Sequence, residues 1–325
     1  MIHYQKFRNY SHGGGVRLLP TGRPSVLRRD FVIACAEARP KNGGPEAQVA
    51  LWHQTPGVFW VRPGQPGGRL DAMRCIGMKI QYDGTNYHGW QEQPGQVTVQ
   101  GTLVECLATI LRERPALEGA GRTDSGVHAL GQVAAFKTEH PMPLDRLQAA
   151  VNSRLPPDIA VTEVREAPPD FRPSFHCLGK HYRYRIYRGP LKPIFEARYV
   201  WHWHRALALE PMREAARLLV GRHDFRSFEG RGSARDDTVR EVRRLDIVEA
   251  GQELHFEVEG DRFLYRMVRN LVGTLTEVGR GRRPPEWAGQ VLAARDRMAA
   301  GPTAPPHGLV LVHVRYPPEW EPYRL

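Results

Sequence analysis

Two apolar runs with strand character, Val242–Val248 and Leu254–Val258, follow one another with no helical stretch between them. A parallel pair needs a crossover of a dozen or more residues, so neighbours this close pair antiparallel if they pair at all. Upstream, strand-like and helix-like stretches mix. Ile76–Tyr82, Gly131–Phe136, Val161–Val164 and Tyr182–Tyr187 read as strands, as does Leu309–Val314 near the end. Val99, Leu103, Cys106, Leu107 and Ile110 recur at helical spacing, with Pro115 beyond them. Leu144, Leu147, Val151 and Leu155 mark a second helix, opened at Pro143 and stopped by Pro156 and Pro157. Pro211 stands at the start of a third, whose apolar face is Met212, Ala215, Leu218 and Leu219, and Phe263–Val278 reads as a long fourth. This mixture predicts an α+β fold with a largely antiparallel sheet rather than a doubly wound one.

Residues 1–74 show neither period. They are rich in Gly, Pro and Arg and can bury too little to fold alone. They carry eleven Lys/Arg against four Asp/Glu, so +7 of the chain's +11 falls there and only +4 on the remainder. A basic chain suits a polyanionic partner, but a body this mildly basic does not establish one. Three origins fit the segment: a basic tail, an Arg-rich transit peptide, or upstream sequence that is never translated, with Met73 or Met78 as the start. The last is the expectation. No run approaches the roughly 18–20 apolar residues of a membrane span. The cysteines, Cys35, Cys75, Cys106 and Cys177, have no metal-ligand spacing. Cys106 is expected as a small buried residue, and the set fits a reduced, cytoplasmic setting.

The densest chemical cluster runs from Gly119 to His128. Gly121 and Gly126 allow backbone shapes that other residues disfavour. Between and beside them stand Arg122, Thr123, Asp124 and His128, directly before a strand. A carboxylate beside an arginine stays ionised, and an ionised carboxylate is a nucleophile or a base. An Arg–Asp pair that merely braces the loop fits these residues as well. Lys180–Arg188 alternates basic and aromatic residues, which suits either an RNA backbone or a solvated strand face. His202 and His204 share a face of a strand-like stretch but have no evident third ligand. Neither a P-loop nor a nucleophile elbow is present.

The string Gly121-Arg-Thr-Asp-Ser-Gly-Val-His128, followed by Gly131-Gln132-Val133, closely resembles the signature loop of the tRNA pseudouridine synthase A family. The resemblance continues, in the family's order, through Tyr82–Gln91, Asn152–Ile159, Gly179–Ile186, His223–Phe228, Thr238–Arg240, Phe263–Gly273 and Ala304–Leu309. It spans about three-quarters of the chain. Two departures stand out. Ser125 replaces the family's usual Ala, and Phe171-Arg-Pro-Ser174 replaces a Phe-His-Ala-Arg pattern.

The resemblance implies the pseudouridine synthase fold, with two subdomains (75–178 and 179–325) sharing a mixed sheet around a central RNA-binding cleft. It implies Asp124 as catalytic nucleophile, Arg269 as its ion-pair partner, and Arg122 as a second arginine for the carboxylate or the flipped nucleotide. Tyr182 would stack on the uracil, with Thr123 and His128 also on the substrate. The implied reaction is an isomerisation of uridine, needing no cofactor or metal. The implied substrate is the anticodon stem-loop of tRNA at uridines 38 to 40, and the implied assembly is a homodimer with each tRNA bridging both subunits. From the residues around it, Arg269 alone reads equally well as a surface arginine, off the stripe of Phe263, Met267, Asn270 and Leu271. One rival keeps the enzyme and changes its target, to another tRNA position or another RNA. Two rival classes also remain at this stage. One is an RNA-binding module without catalysis. The other is a glycosidase, which here lacks an evident second acid.

Overall fold

The computed structural model describes residues 73–232 and 236–318. The expectations for residues 1–72 lie outside the described residues. Arg74 belongs to the folded body: it opens the first strand, pairs with Glu166, and donates to the carbonyls of His140 and Met142 at 3.1 and 3.0 Å.

The first half runs β1 (Arg74–Tyr82), α1 (Val99–Leu111), β2 (Glu118–Gly119), β3 (His128–Thr138), α2 (Leu144–Arg154) and β4 (Ile159–Ala167). Each helix starts and stops for a local reason. Thr98 caps α1, its side chain accepting from the Gly101 N–H at 3.2 Å. Arg112 closes α1 in the left-handed region at φ 57°. Val99, Leu103, Cys106 and Leu107 are buried on one face of α1, as their spacing predicts. α2 follows Pro143, carries Asp145 in its first turn and Arg154 in its last, and ends before Leu155 and the two prolines.

The second half runs β5 (Gly179–Tyr187), β6 (Trp201–His202), α3 (Leu209–Arg217), β7 (Gly221–Asp224), β8 (Val239–Ala250), β9 (Glu253–Gly260), α4 (Met267–Gly279), α5 (Trp287–Ala294) and β10 (Leu309–Arg315). Leu218 falls just past α3 and is exposed, while Met212, Ala215 and Leu219 are buried. The long helix expected from Phe263 begins only at Met267. Arg266 sits at φ 58°, which no right-handed helix can contain, so Phe263–Tyr265 form an approach segment instead. Phe263 there packs edge-on against Tyr182, with ring centroids 5.2 Å apart.

The strands form one sheet in the order β4-β1-β3-β10-β5-β9-β8-β7, with β2 beside β3 and β6 beside β5. The pairings are antiparallel except β3–β10 and β5–β6. The fold is therefore α+β with a mixed, mostly antiparallel sheet. The last strand slots between the first strand of the second half and a strand of the first half. That insertion brings three things together: the loop before β3, the face of β5, and the segment leading into β10.

Candidate active site

The loop before β3 is held residue by residue. Ala120 donates its N–H to the Val133 carbonyl at 2.7 Å, and the Gln132 side chain donates to the Gly121 carbonyl at 2.8 Å. Tyr82 and Thr123 share a hydrogen bond between their hydroxyls at 2.8 Å. The Trp90 N–H reaches the Thr123 carbonyl at 3.1 Å, and the Ser125 hydroxyl donates to the Tyr87 carbonyl at 3.2 Å. Gly89 makes this approach possible. It stands at φ 89°, and a Cβ there would lie 2.5 Å from the Thr123 carbonyl oxygen. The motif Tyr82–Gln91 is thus the bed on which the Asp124 loop rests.

Asp124 points into a cleft, where its Oδ2 accepts from Arg269 Nη1 at 2.8 Å. Both side chains are largely buried, at 17% and 11% exposure. Arg269 also donates from Nε to the Ala304 carbonyl at 2.8 Å, and its own carbonyl accepts from the Ala304 N–H at 3.1 Å. The arginine is therefore clamped from two sides before it meets the carboxylate. Gly273 lets the Pro302–Ala304 segment lie against α4, since a Cβ there would fall 1.7 Å from the Pro302 carbonyl oxygen. The alternative of a surface arginine does not hold: Arg269 is buried, on a helix that is buried on nearly every side.

The cleft encloses about 2070 Å³. Tyr182 and Thr123 line it, as do Arg122, Lys180 and Phe263. Burial, with Tyr82 and Asp124 nearby, pushes the Tyr182 phenol far above its ordinary range, so it stays neutral. Arg122 is exposed at the rim. Arg172 and Ser174, where the sequence departs from the family pattern, both reach the rim too. There Glu118 accepts from Ser174 at 2.5 Å and stands 3.5 Å from Arg172.

His128 is placed differently from the others. It lies behind the loop, outside the cleft lining, packed edge-on against Tyr199 at 5.2 Å. Its Nδ1 accepts from the Gly84 N–H at 3.0 Å and its Nε2 faces the His307 carbonyl at 3.2 Å. Burial lowers its pKa. Asp83, 3.1 Å from Nδ1, opposes that shift without reversing it. Burial also lowers the pKa of His307, with the charge of His128 adding to the effect.

A stability prediction follows from these two groups. Both bind protons less readily folded than unfolded, so their contribution is whole above the unfolded value of about 6.5 and is lost as pH falls below it. Urea-unfolding midpoints are expected to drop between about pH 7.5 and 5, and His128→Gln with His307→Gln to flatten that drop. An unchanged slope in the double variant would put the acid sensitivity elsewhere.

His202 and His204 do not form the shared strand face their spacing suggests, because β6 ends at His202. Their rings lie 6.2 Å apart, and His202 Nε2 faces the Gly189 carbonyl at 2.9 Å. Sequence reasoning assigned no role to Tyr82 or to the Ala304 carbonyl, and treated Lys180 only as one of the alternating basic residues of its strand. All three appear within the matched motifs, but only the folded contacts show what they hold.

Known proteins resemble this chain over most of its length. The sequence model described as tRNA pseudouridine synthase matches residues 78–176 and 215–317. The tRNA pseudouridine synthase A of Syntrophotalea carbinolica is 47% identical over 247 residues, covering 76% of this chain and 98% of that protein. The protein of the same name from Geobacter sulfurreducens is 47% identical over 244 residues, covering 75% and 100%. That from Myxococcus xanthus is 44% identical over 249 residues, covering 75% and 92%. The crystal structure of the archaeal box H/ACA sRNP Nop10-Cbf5 complex aligns over 75% of this chain and 49% of that one. Its 13% identity and TM-score of 0.31 are too low to bear on the fold. A matched model covering most of the chain, and relatives aligned over nearly their whole lengths, place this chain in the tRNA pseudouridine synthase family.

Proposed function

We propose that the protein isomerises uridine to pseudouridine at positions 38, 39 and 40 of the tRNA anticodon stem-loop, with Asp124 as its nucleophile. The observation that carries the reading is the Asp124–Arg269 pair, 2.8 Å apart and largely buried at the edge of a large cleft. At about 2070 Å³ the cleft exceeds the roughly 300–1,000 Å³ usual for small-molecule sites. It suits a macromolecular substrate with one nucleotide turned out of its stack.

The reaction breaks the N1–C1′ bond of uridine, turns the base, and joins C5 to C1′. N1 gains a proton and C5 loses one, so the product has the substrate's composition. Arg269 fixes one carboxylate oxygen of Asp124, and Oδ1 accepts no hydrogen bond from a described residue. That oxygen is the one available to the nucleoside. Tyr182, neutral and braced by Phe263, presents a ring for the displaced uracil. Thr123 and Arg122 border the same space, with His128 supporting the loop from behind. The family's pattern supports a cytoplasmic homodimer with each tRNA spanning both subunits. No helix among the described residues is long and apolar enough to cross a membrane.

The test uses unmodified tRNA transcripts, carbodiimide treatment and primer extension. Stops at positions 38 to 40 are the expected result. Stops elsewhere would discard the target and keep the chemistry. Release of free uracil would favour the glycosidase, and binding without any stop would favour the RNA-binding module.

A further inference from the structure

Strand β5 carries five cations, Lys180, His181 (when protonated), Arg183, Arg185 and, just past its end, Arg188. Side chains alternate along a strand, so Lys180 shares a face with Tyr182 and Tyr184, while His181, Arg183 and Arg185 share the other. The cations of that other face are neutralised. His181 and Arg183 both meet Glu257 at 2.6 Å, and Arg185 meets Glu253 at 2.7 Å. Arg188 meets Glu249 at 2.8 Å. Lys180 has no carboxylate within ion-pair distance among the described residues.

Lys180 lines the same cleft as Asp124, and its stem is packed. It lies across Gly121, where a Cβ would fall 2.8 Å from Lys180 Cε and 3.5 Å from Nζ. Gly121 in turn is fixed by the Gln132 side chain. The other cleft cations lacking a carboxylate partner, Arg122, Arg262 and Arg266, are exposed, whereas Lys180 is half-buried. A preordered ammonium without a counter-ion is a site waiting for an anion. Its compact charge suits a phosphate oxygen.

We infer that Lys180 is a phosphate-binding residue of the cleft, gripping the RNA backbone beside the nucleoside that faces Asp124 and Tyr182. The inference rests on the tRNA reading above. It also gives Gly121 a reason beyond loop geometry: its φ lies outside the left-handed region, and a side chain there would push the lysine aside.

The experiment follows turnover and filter-retention binding of unmodified tRNA over a range of KCl concentrations. It compares wild type with Lys180→Met, Lys180→Arg and Gly121→Ala. Lys180→Met is expected to weaken binding and raise KM about tenfold, with the smaller part of the loss in kcat. It should also make the slope of log affinity against log salt shallower by about 0.7–0.9, the signature of one lost phosphate contact. Lys180→Arg should restore the slope. Gly121→Ala should shift it in the same direction as Lys180→Met, and the Gly121→Ala/Lys180→Met pair should be no worse than Lys180→Met alone. An unchanged slope in Lys180→Met would overturn the inference. So would a loss confined to kcat, with a displaced pH–rate profile that arginine does not rescue, since the ammonium would then act on Asp124 or a proton. Binding reads the slope without turnover. A wild type that binds tRNA without modifying it therefore counts against the proposed function and not against Lys180.

Discussion

Asp124→Asn will lose pseudouridine formation by at least about 10⁴-fold while still binding tRNA, because the substitution removes the proposed nucleophile and little else. The amide keeps the size of the carboxylate, and its oxygen can still accept from Arg269 Nη1, now 2.8 Å from Oδ2. The loop's other anchors, from Gln132, Tyr82, Trp90 and Tyr87, do not involve the Asp124 side chain. The backbone should therefore stay in place. One negative charge leaves the cleft proposed to hold the RNA, so tRNA affinity should hold or rise. Single-turnover kinetics on a tRNA transcript, with filter binding in parallel, read both quantities. Activity within about tenfold of wild type would reduce Asp124 to a brace for its loop.

Arg269→Met will unfold more easily than wild type by about 3 kcal/mol, lowering the Tm by about 6–12 °C, and will also lose most activity. The cost arises because the substitution strands a largely buried carboxylate and frees the Ala304 carbonyl at once. Arg269→Lys should repair only part of this. The guanidinium reaches Asp124 through Nη1 and Ala304 through Nε, whereas one ammonium has no such fork. The informative variant is the double one. With Asp124→Ala added, Arg269→Met no longer leaves a buried charge unpaired, so the double variant should be markedly more stable than the two single losses summed. Simple additivity in thermal denaturation would mean that the pair contributes nothing as a pair.

Both predictions depend on contacts that differ in how far they could be read beforehand. Asp124 was visible as a candidate because its setting is local: glycines at 121 and 126, with Arg122 and Thr123 on one side of the carboxylate and Ser125 on the other. Such a loop announces itself in eight consecutive residues. The helices α1 and α2 were visible for the same reason, through apolar residues at helical spacing and prolines near their ends. The start of α4 was not. The apolar period runs on through Phe263, but Arg266 takes a left-handed φ of 58°, and no residue type at that position signals it.

What the sequence determined by itself is therefore the α+β alternation, the antiparallel β8–β9 neighbours, and a carboxylate presented on a glycine-flanked loop. Each rests on interactions between residues close along the chain. Resemblance had paired Arg269 with Asp124, but only the tertiary structure decided that this arginine is buried, because α4 is covered on nearly all sides and an amphipathic stripe then says little about exposure. It alone decided that β10 returns between β3 and β5 to bring Ala304 onto that arginine. It also divided the basic strand β5 into cations neutralised by the glutamates 249, 253 and 257 and one lysine left facing the cleft. Charge compensation across strands depends on register, and register is settled only when the whole sheet has assembled.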